Sequence, residues 1–151
     1  VSDRPYLSFM PEALAEARAA ADADEVPVGA VVVRDGVVIA RGHNRTVETS
    51  DPTAHAEIEA IRAAGRVLGS DRLIDCDLWV TLEPCPMCAG AISFARIRRL
   101  YYGASDPKGG AVESGVRLYS SPTCHHVPDV YSGLSAVAAG DLLKTFFRKK
   151  R

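Results

Sequence analysis

Two short segments about thirty residues apart place the tightest constraint on how this chain can fold: His55-Ala56-Glu57, and Pro84-Cys85-Pro86-Met87-Cys88. One imidazole and a Cys-x-x-Cys pair offer three ligands of the kind zinc takes, and three protein ligands leave a tetrahedral zinc one open position, the mark of a catalytic site. Any fold must therefore bring the two segments to one point. Each of them opens a stretch of helical character, but residues two apart are turned by about 200° on a helix, so His55 and Glu57 cannot share a face. They serve one site only if the helix end is aimed at it. Cys85 and Cys88, three apart, do share a face, and the spacing predicts two helix N-termini converging on the metal. Each such terminus carries about half a positive charge, which helps hold two thiolates.

Glu57 is not needed as a ligand. Beside a metal-activated water it is placed to take a proton, pass it to a ring nitrogen and deliver it to a leaving amine. Alone it would be an N-terminal Glu favoured by the helix dipole, and the cysteines alone would fit a structural zinc or a redox pair. Their combination is what points to catalysis.

The rest of the chain supplies the frame. Met10, Ala13, Leu14, Ala17 and Ala21 predict a first helix over Ser8 to Ala23, with Ser8 as cap and Pro11 in its first turn. Val28 to Arg34 and Val37 to Arg41 flank Asp35-Gly36 and predict a tight antiparallel hairpin. Neither strand alternates in polarity, so both faces of the sheet should be covered. Asp51-Pro52-Thr53 reads as the start of a helix running to about Val67, with Ala54, Ile58, Ile61 and Leu68 as its apolar stripe. A strand follows over Asp77 to Glu83, then a helix from the cysteines through Ala95 and a strand over Ile97 to Gly103. A short helix around Ala111 to Leu118 and an edge strand near Val127 to Tyr131, demoted by Pro128, come next. Leu134, Val137, Ala138, Leu142, Leu143, Phe146 and Phe147 predict a final amphipathic helix. Strand–helix–strand crossovers make the later strands parallel. The expected architecture is α/β in three layers, α/β/α, around a five-stranded mixed sheet with an antiparallel first hairpin, as one domain over residues 1–151.

Val1 to Met10 carries no leader pattern, and apolar runs such as Val28 to Val33 are far short of a membrane span, so a cytoplasmic protein is expected, with no membrane partner. Four cysteines, two of them as Cys-x-x-Cys, fit a metal in a reducing compartment. Cys76 and Cys124 are expected to be small buried hydrophobes. The net charge is −1, but Arg96, Arg98, Arg99 and the terminal Phe146-Phe147-Arg148-Lys149-Lys150-Arg151 make the second half basic. Those cations suit phosphates or the end of a helix equally.

His-x-Glu followed by Pro-Cys-x-x-Cys is a known signature of zinc-dependent nucleobase deaminases, recognised here as a pattern. Beyond it the chain resembles the bacterial tRNA-specific adenosine deaminases over nearly its whole length. The matching stretches are Glu25 to Ala30, Gly42 to Arg45, Asp51 to Ile58, Val80 to Ile92, Tyr102 to Gly110 and Phe146 to Arg148. The resemblance implies a cytidine-deaminase-like fold, one zinc per subunit, a homodimer, and a tRNA anticodon stem-loop whose wobble adenosine becomes inosine. It further implies that Asn44 hydrogen-bonds the flipped-out purine, that Val28 and the backbone of Ala56 line the base pocket, and that Asp106, Lys108 and Arg148 lie near the anticodon loop. Pro86 also occurs in guanine deaminases of this fold, so the zinc motif leaves a free-base or nucleoside deaminase as the alternative. A further alternative is an RNA-binding module whose structural zinc is closed by Cys124, His125 or His126.

Overall fold

The structure, a computed structural model, describes residues 7–150. Arg151 of the basic terminal run and the first six residues of the segment searched for a leader lie outside the described residues. The elements are α1 (Met10–Asp22), β1 (Gly29–Arg34), β2 (Val37–His43), α2 (Ala56–Leu68), β3 (Cys76–Leu82), α3 (Pro86–Phe94), β4 (Arg99–Ala104), β5 (Asp129–Tyr131) and α4 (Ala136–Lys149). The strands form one sheet in the order β2-β1-β3-β4-β5. β1 runs antiparallel to both β2 and β3, whereas β3, β4 and β5 are parallel, so the expected mixed sheet is present.

The continuous apolar strands follow from burial on both faces. Ala30, Val32, Leu78, Val80, Leu100 and Tyr102 face one core with Ala60 and Ala64 of α2 and Ala89 and Ile92 of α3. Val31, Val33 and Trp79, one residue out of step, face the other with Met10, Ala13 and Leu14 of α1 and Ala139 of α4. The hairpin turn places Asp35 at φ 52° and Gly36 at φ 73°, the two positive angles that an Asp-Gly hairpin takes. Ser8 accepts the Met10 amide at 3.1 Å, although Phe9 occupies the cap position.

α2 departs from expectation. It starts at Ala56, because Asp51 spends its side chain on a local turn, accepting the Thr53 amide (2.8 Å) and hydroxyl (2.7 Å). Its buried stripe is Ala56, Ala60 and Ala64, while Ile58, Ile61 and Leu68 are only half-buried. Ala54 is buried but precedes the helix. The reason lies in β2: a Cβ on Gly42 would meet the Ala56 carbonyl oxygen at 2.6 Å and the Ala60 nitrogen at 2.6 Å, so the helix rests on the strand with room for methyl groups alone. Gly42→Ala is expected to lower stability by about 1–3 kcal/mol through overpacking. A denaturant midpoint unmoved by that change would show that α2 does not rest on the strand this closely.

Residues 111–118 form no α-helix; a single 3₁₀ turn spans Leu118–Ser120. The amides of Val112, Glu113 and Ser114 are instead taken by the side chain of Glu83. α4 buries less than its sequence pattern promised, since Leu134 precedes it, Ala138 is exposed and Val137 is 78% exposed. Among the described residues no helix is long and apolar enough to cross a membrane.

Candidate metal centre and active-site cleft

β3 ends at Leu82, and Glu83-Pro84 carries the chain to Cys85, the cap residue of α3. His55 is the cap residue of α2. Both are extended, at φ −74°, ψ 157° for His55 and φ −74°, ψ 174° for Cys85. Their carbonyls accept the first helical amides, from Glu59 (3.0 Å) and Ala89 (2.8 Å), which leaves their side chains free to point off the helix ends. Pro86 opens α3 where a missing amide hydrogen loses no partner. His55 Nδ1 lies 3.6 Å from Cys85 Sγ and 3.5 Å from Cys88 Sγ, and the three ligand atoms fall within 4.8 Å of one another.

The electrostatics of the group favour a cation. Donation by the Cys88 thiol, with help from His55, outweighs burial and brings Cys85 down to about 4. The same bond, with burial, pushes Cys88 up, and the Cys85 sulfur raises His55. Two sulfurs and one imidazole form a soft donor set that fits zinc. Glu57, 4% exposed in the first turn of α2, stands outside that group. Burial, reinforced by the negative Cys85, pushes its carboxyl up to about 7, in the range where a proton carrier works at neutral pH.

His55, Glu57 and Cys85 open onto a cleft of about 310 Å³, shared with Val28, Asn44 and Asp106. That is the small end of the range for small-molecule sites. Asn44 is buried, and its backbone N–H donates to the Val28 carbonyl at 3.1 Å. Cys88 is buried behind the cleft, and Ala56 is buried in α2 without lining it. Lys108 is exposed on the outside of the Asp106–Gly109 turn, and Arg148 is exposed on α4; neither borders the cleft.

Five further residues border the cleft without having been singled out: Val26, Thr46, Leu82, Glu83 and Gly109. Glu83 is 2% exposed, and a second acid, Glu25 at 1%, accepts the amides of Val47 (3.1 Å) and Glu48 (2.7 Å) in the loop after Asn44. Both acids stand beside an apolar strand, the one signal in the sequence that either is buried.

Cys76 is fully buried, as expected of a small hydrophobe. Cys124 is half-buried and polar in its contacts: its thiol donates to the His126 carbonyl at 3.3 Å and lies 3.5 Å from Ser93 Oγ. His126 Nε2 donates to the Ile97 carbonyl at 2.6 Å, and His125 is exposed. Ser93 is eight residues along α3 from Cys85, about 12 Å on the axis. These residues are bonded at the far end of the helix and take no part in the ligand group.

A family profile of the MafB19-like deaminases matches residues 6–151. The chain is 67% identical over 143 residues to the tRNA-specific adenosine deaminase of Agrobacterium fabrum, covering 95% of this chain and 94% of that protein. It is 49% identical over 144 residues to the enzyme of the same name from Rickettsia bellii, covering 94% and 99%. A solved structure from biochemical and structural studies of A-to-I editing by tRNA:A34 deaminases at the wobble position of transfer RNA matches with TM-score 0.88 at 67% identity, over 89% of this chain and 98% of that one. Guanine deaminase from Nitrosomonas europaea matches at TM-score 0.75 and 30% identity, over 91% and 81%. A match along nearly the whole chain, at two-thirds identity to one of its members, places this protein in the MafB19-like deaminase family, among the tRNA-specific adenosine deaminases.

Proposed function

We propose that the chain acts as one zinc-dependent deaminase domain that converts adenosine to inosine at the wobble position of a tRNA anticodon. The observation that carries this reading is convergence: three ligand atoms within 4.8 Å, a buried Glu57 beside them, and Asn44 on the same cleft. His55, Cys85 and Cys88 would hold the zinc, which when bound supplies water acidified enough to attack near neutral pH.

Glu57 takes one proton of the attacking water and gives it to the ring nitrogen as the C6–O bond forms, then takes the proton of the new C6 hydroxyl and delivers it to the amino group, so that the C6–N bond breaks, ammonia leaves and C6–O becomes a carbonyl. Its raised carboxyl suits it to both halves of that task. Asn44 offers a donor and an acceptor to the edge of the purine, while Val28, with Val26 and Leu82, presents an apolar wall to its face. A cleft this small admits one base at a time, so the adenosine must be extruded, which a single-stranded anticodon loop allows. Asp106 stands at the mouth, and the exposed Lys108 and Arg148 are suited to phosphates outside it. We place the enzyme in the cytoplasm as a homodimer with one zinc per subunit; exposed apolar side chains such as Phe94 (79%) offer surface for a second subunit to cover.

The test is a substrate panel with zinc-loaded protein: an anticodon stem-loop, free adenosine, guanine and cytidine. Turnover of the stem-loop in strong preference to the three small molecules is expected. Turnover of guanine with the stem-loop untouched would transfer the chain to the free-base deaminases.

A further inference from the structure

Two buried carboxylates flank the cleft, and the reaction uses neither. Glu83 is the more heavily engaged. Its Oε1 accepts the Asp106 amide (2.9 Å) and the Ser114 hydroxyl (2.9 Å), and its Oε2 accepts the amides of Val112 (3.1 Å), Glu113 (2.9 Å) and Ser114 (3.0 Å). The backbone of the segment lies directly on it, since a Cβ added at Gly110 would meet Glu83 Cδ at 2.5 Å.

The anchored segment is one edge of the cleft. Asp106, fixed through its amide, uses Oδ1 to accept the amides of Lys108 (3.2 Å) and Gly109 (3.0 Å), and both Asp106 and Gly109 line the cleft. The strand on either side of an extruded base must pass over such an edge. An edge already ordered costs less to close on the strand than one that must be ordered at binding.

We infer that Glu83 is a positioning residue that presents residues 106–114 as a preformed lip for the RNA strand flanking the extruded base, and so governs capture of the RNA and not the chemical step. This rests on the proposed deamination of adenosine in RNA.

Glu83→Gln separates the two roles. The Gln side chain has one oxygen to serve the three amides of Val112, Glu113 and Ser114, and its NH₂ group then faces the Asp106 amide, which loses its acceptor. The expected result is a KM for the anticodon stem-loop raised roughly tenfold, with kcat within about threefold of wild type. Zinc content should be unchanged, and hydrogen exchange should be faster at Asp106. A purely structural role would lower zinc content and kcat together. Ser114→Ala, which removes one donor at the surface of the lip, carries the test should E83Q fail to fold; its KM should rise about two- to fivefold with kcat unchanged. With wild type forming inosine, an unchanged KM in a folded, zinc-loaded variant, or a fall in kcat at constant KM, overturns the positioning role. Absence of inosine from the wild-type reaction overturns the deaminase reading itself.

Discussion

Replacement of Glu57 by alanine is expected to cut deamination by about 10²–10⁴-fold while leaving the zinc and the fold in place. The carboxyl stands outside the ligand group, so the three ligands are expected to hold zinc without it. No side-chain bond caps α2, and its first turn is closed by the Glu59 amide donating to the His55 carbonyl (3.0 Å), a bond that does not involve the Glu57 side chain, so the helix is expected to persist without it. Only proton transfer is removed. Glu57→Gln sharpens the point, since it keeps the volume of the buried side chain and should be nearly as inactive. Rates measured beside metal content decide the matter. Deamination retained in Glu57→Ala would reduce the residue to a favourable charge at a helix N-terminus, and loss of zinc in that variant would make it a ligand.

The second large effect is expected at Cys88. It is fully buried in the first turn of α3, 3.5 Å from His55 Nδ1. Cys88→Ala removes one of the three ligands. Zinc well below one per chain and loss of deamination are expected together, because ligation and activity share the site. Chelation of wild type should give the same inactive state, reversed by added zinc. Full zinc occupancy in Cys88→Ala would require another protein ligand. Cys124 and His126, bonded to Ser93 and Ile97 at the other end of α3, are poorly placed to supply it.

The site was legible in the sequence where its chemistry is local. Spacing alone separates His55 from Glu57 on a helix and joins Cys85 to Cys88, and the answer of two helix ends follows from that geometry. Asp35-Gly36 fixes its own turn in the same way. What was not legible depends on partners distant in the chain. Asp51-Pro52-Thr53 has the chemistry of a helix start, yet it closes a turn and leaves the start to His55. The alanine stripe of α2 is buried because Gly42, on a strand fourteen residues before the helix begins, lets the two backbones approach. Glu83 takes three amides that would otherwise be available to a helix at 111–118, and nothing near those residues announces it. Lys108 and Arg148 are charged, exposed and off the cleft, so nothing in the residues around them assigns either a part in the site.

The central claim is the conversion of one base in one loop, and the most direct measurement is to locate inosine in an intact tRNA carrying adenosine at the wobble position after incubation with the zinc-loaded protein. Mass analysis of nuclease fragments should find inosine in the anticodon fragment and nowhere else, and none after incubation with Glu57→Ala. Adenosine unchanged at that position, or inosine scattered through other loops, would contradict the account.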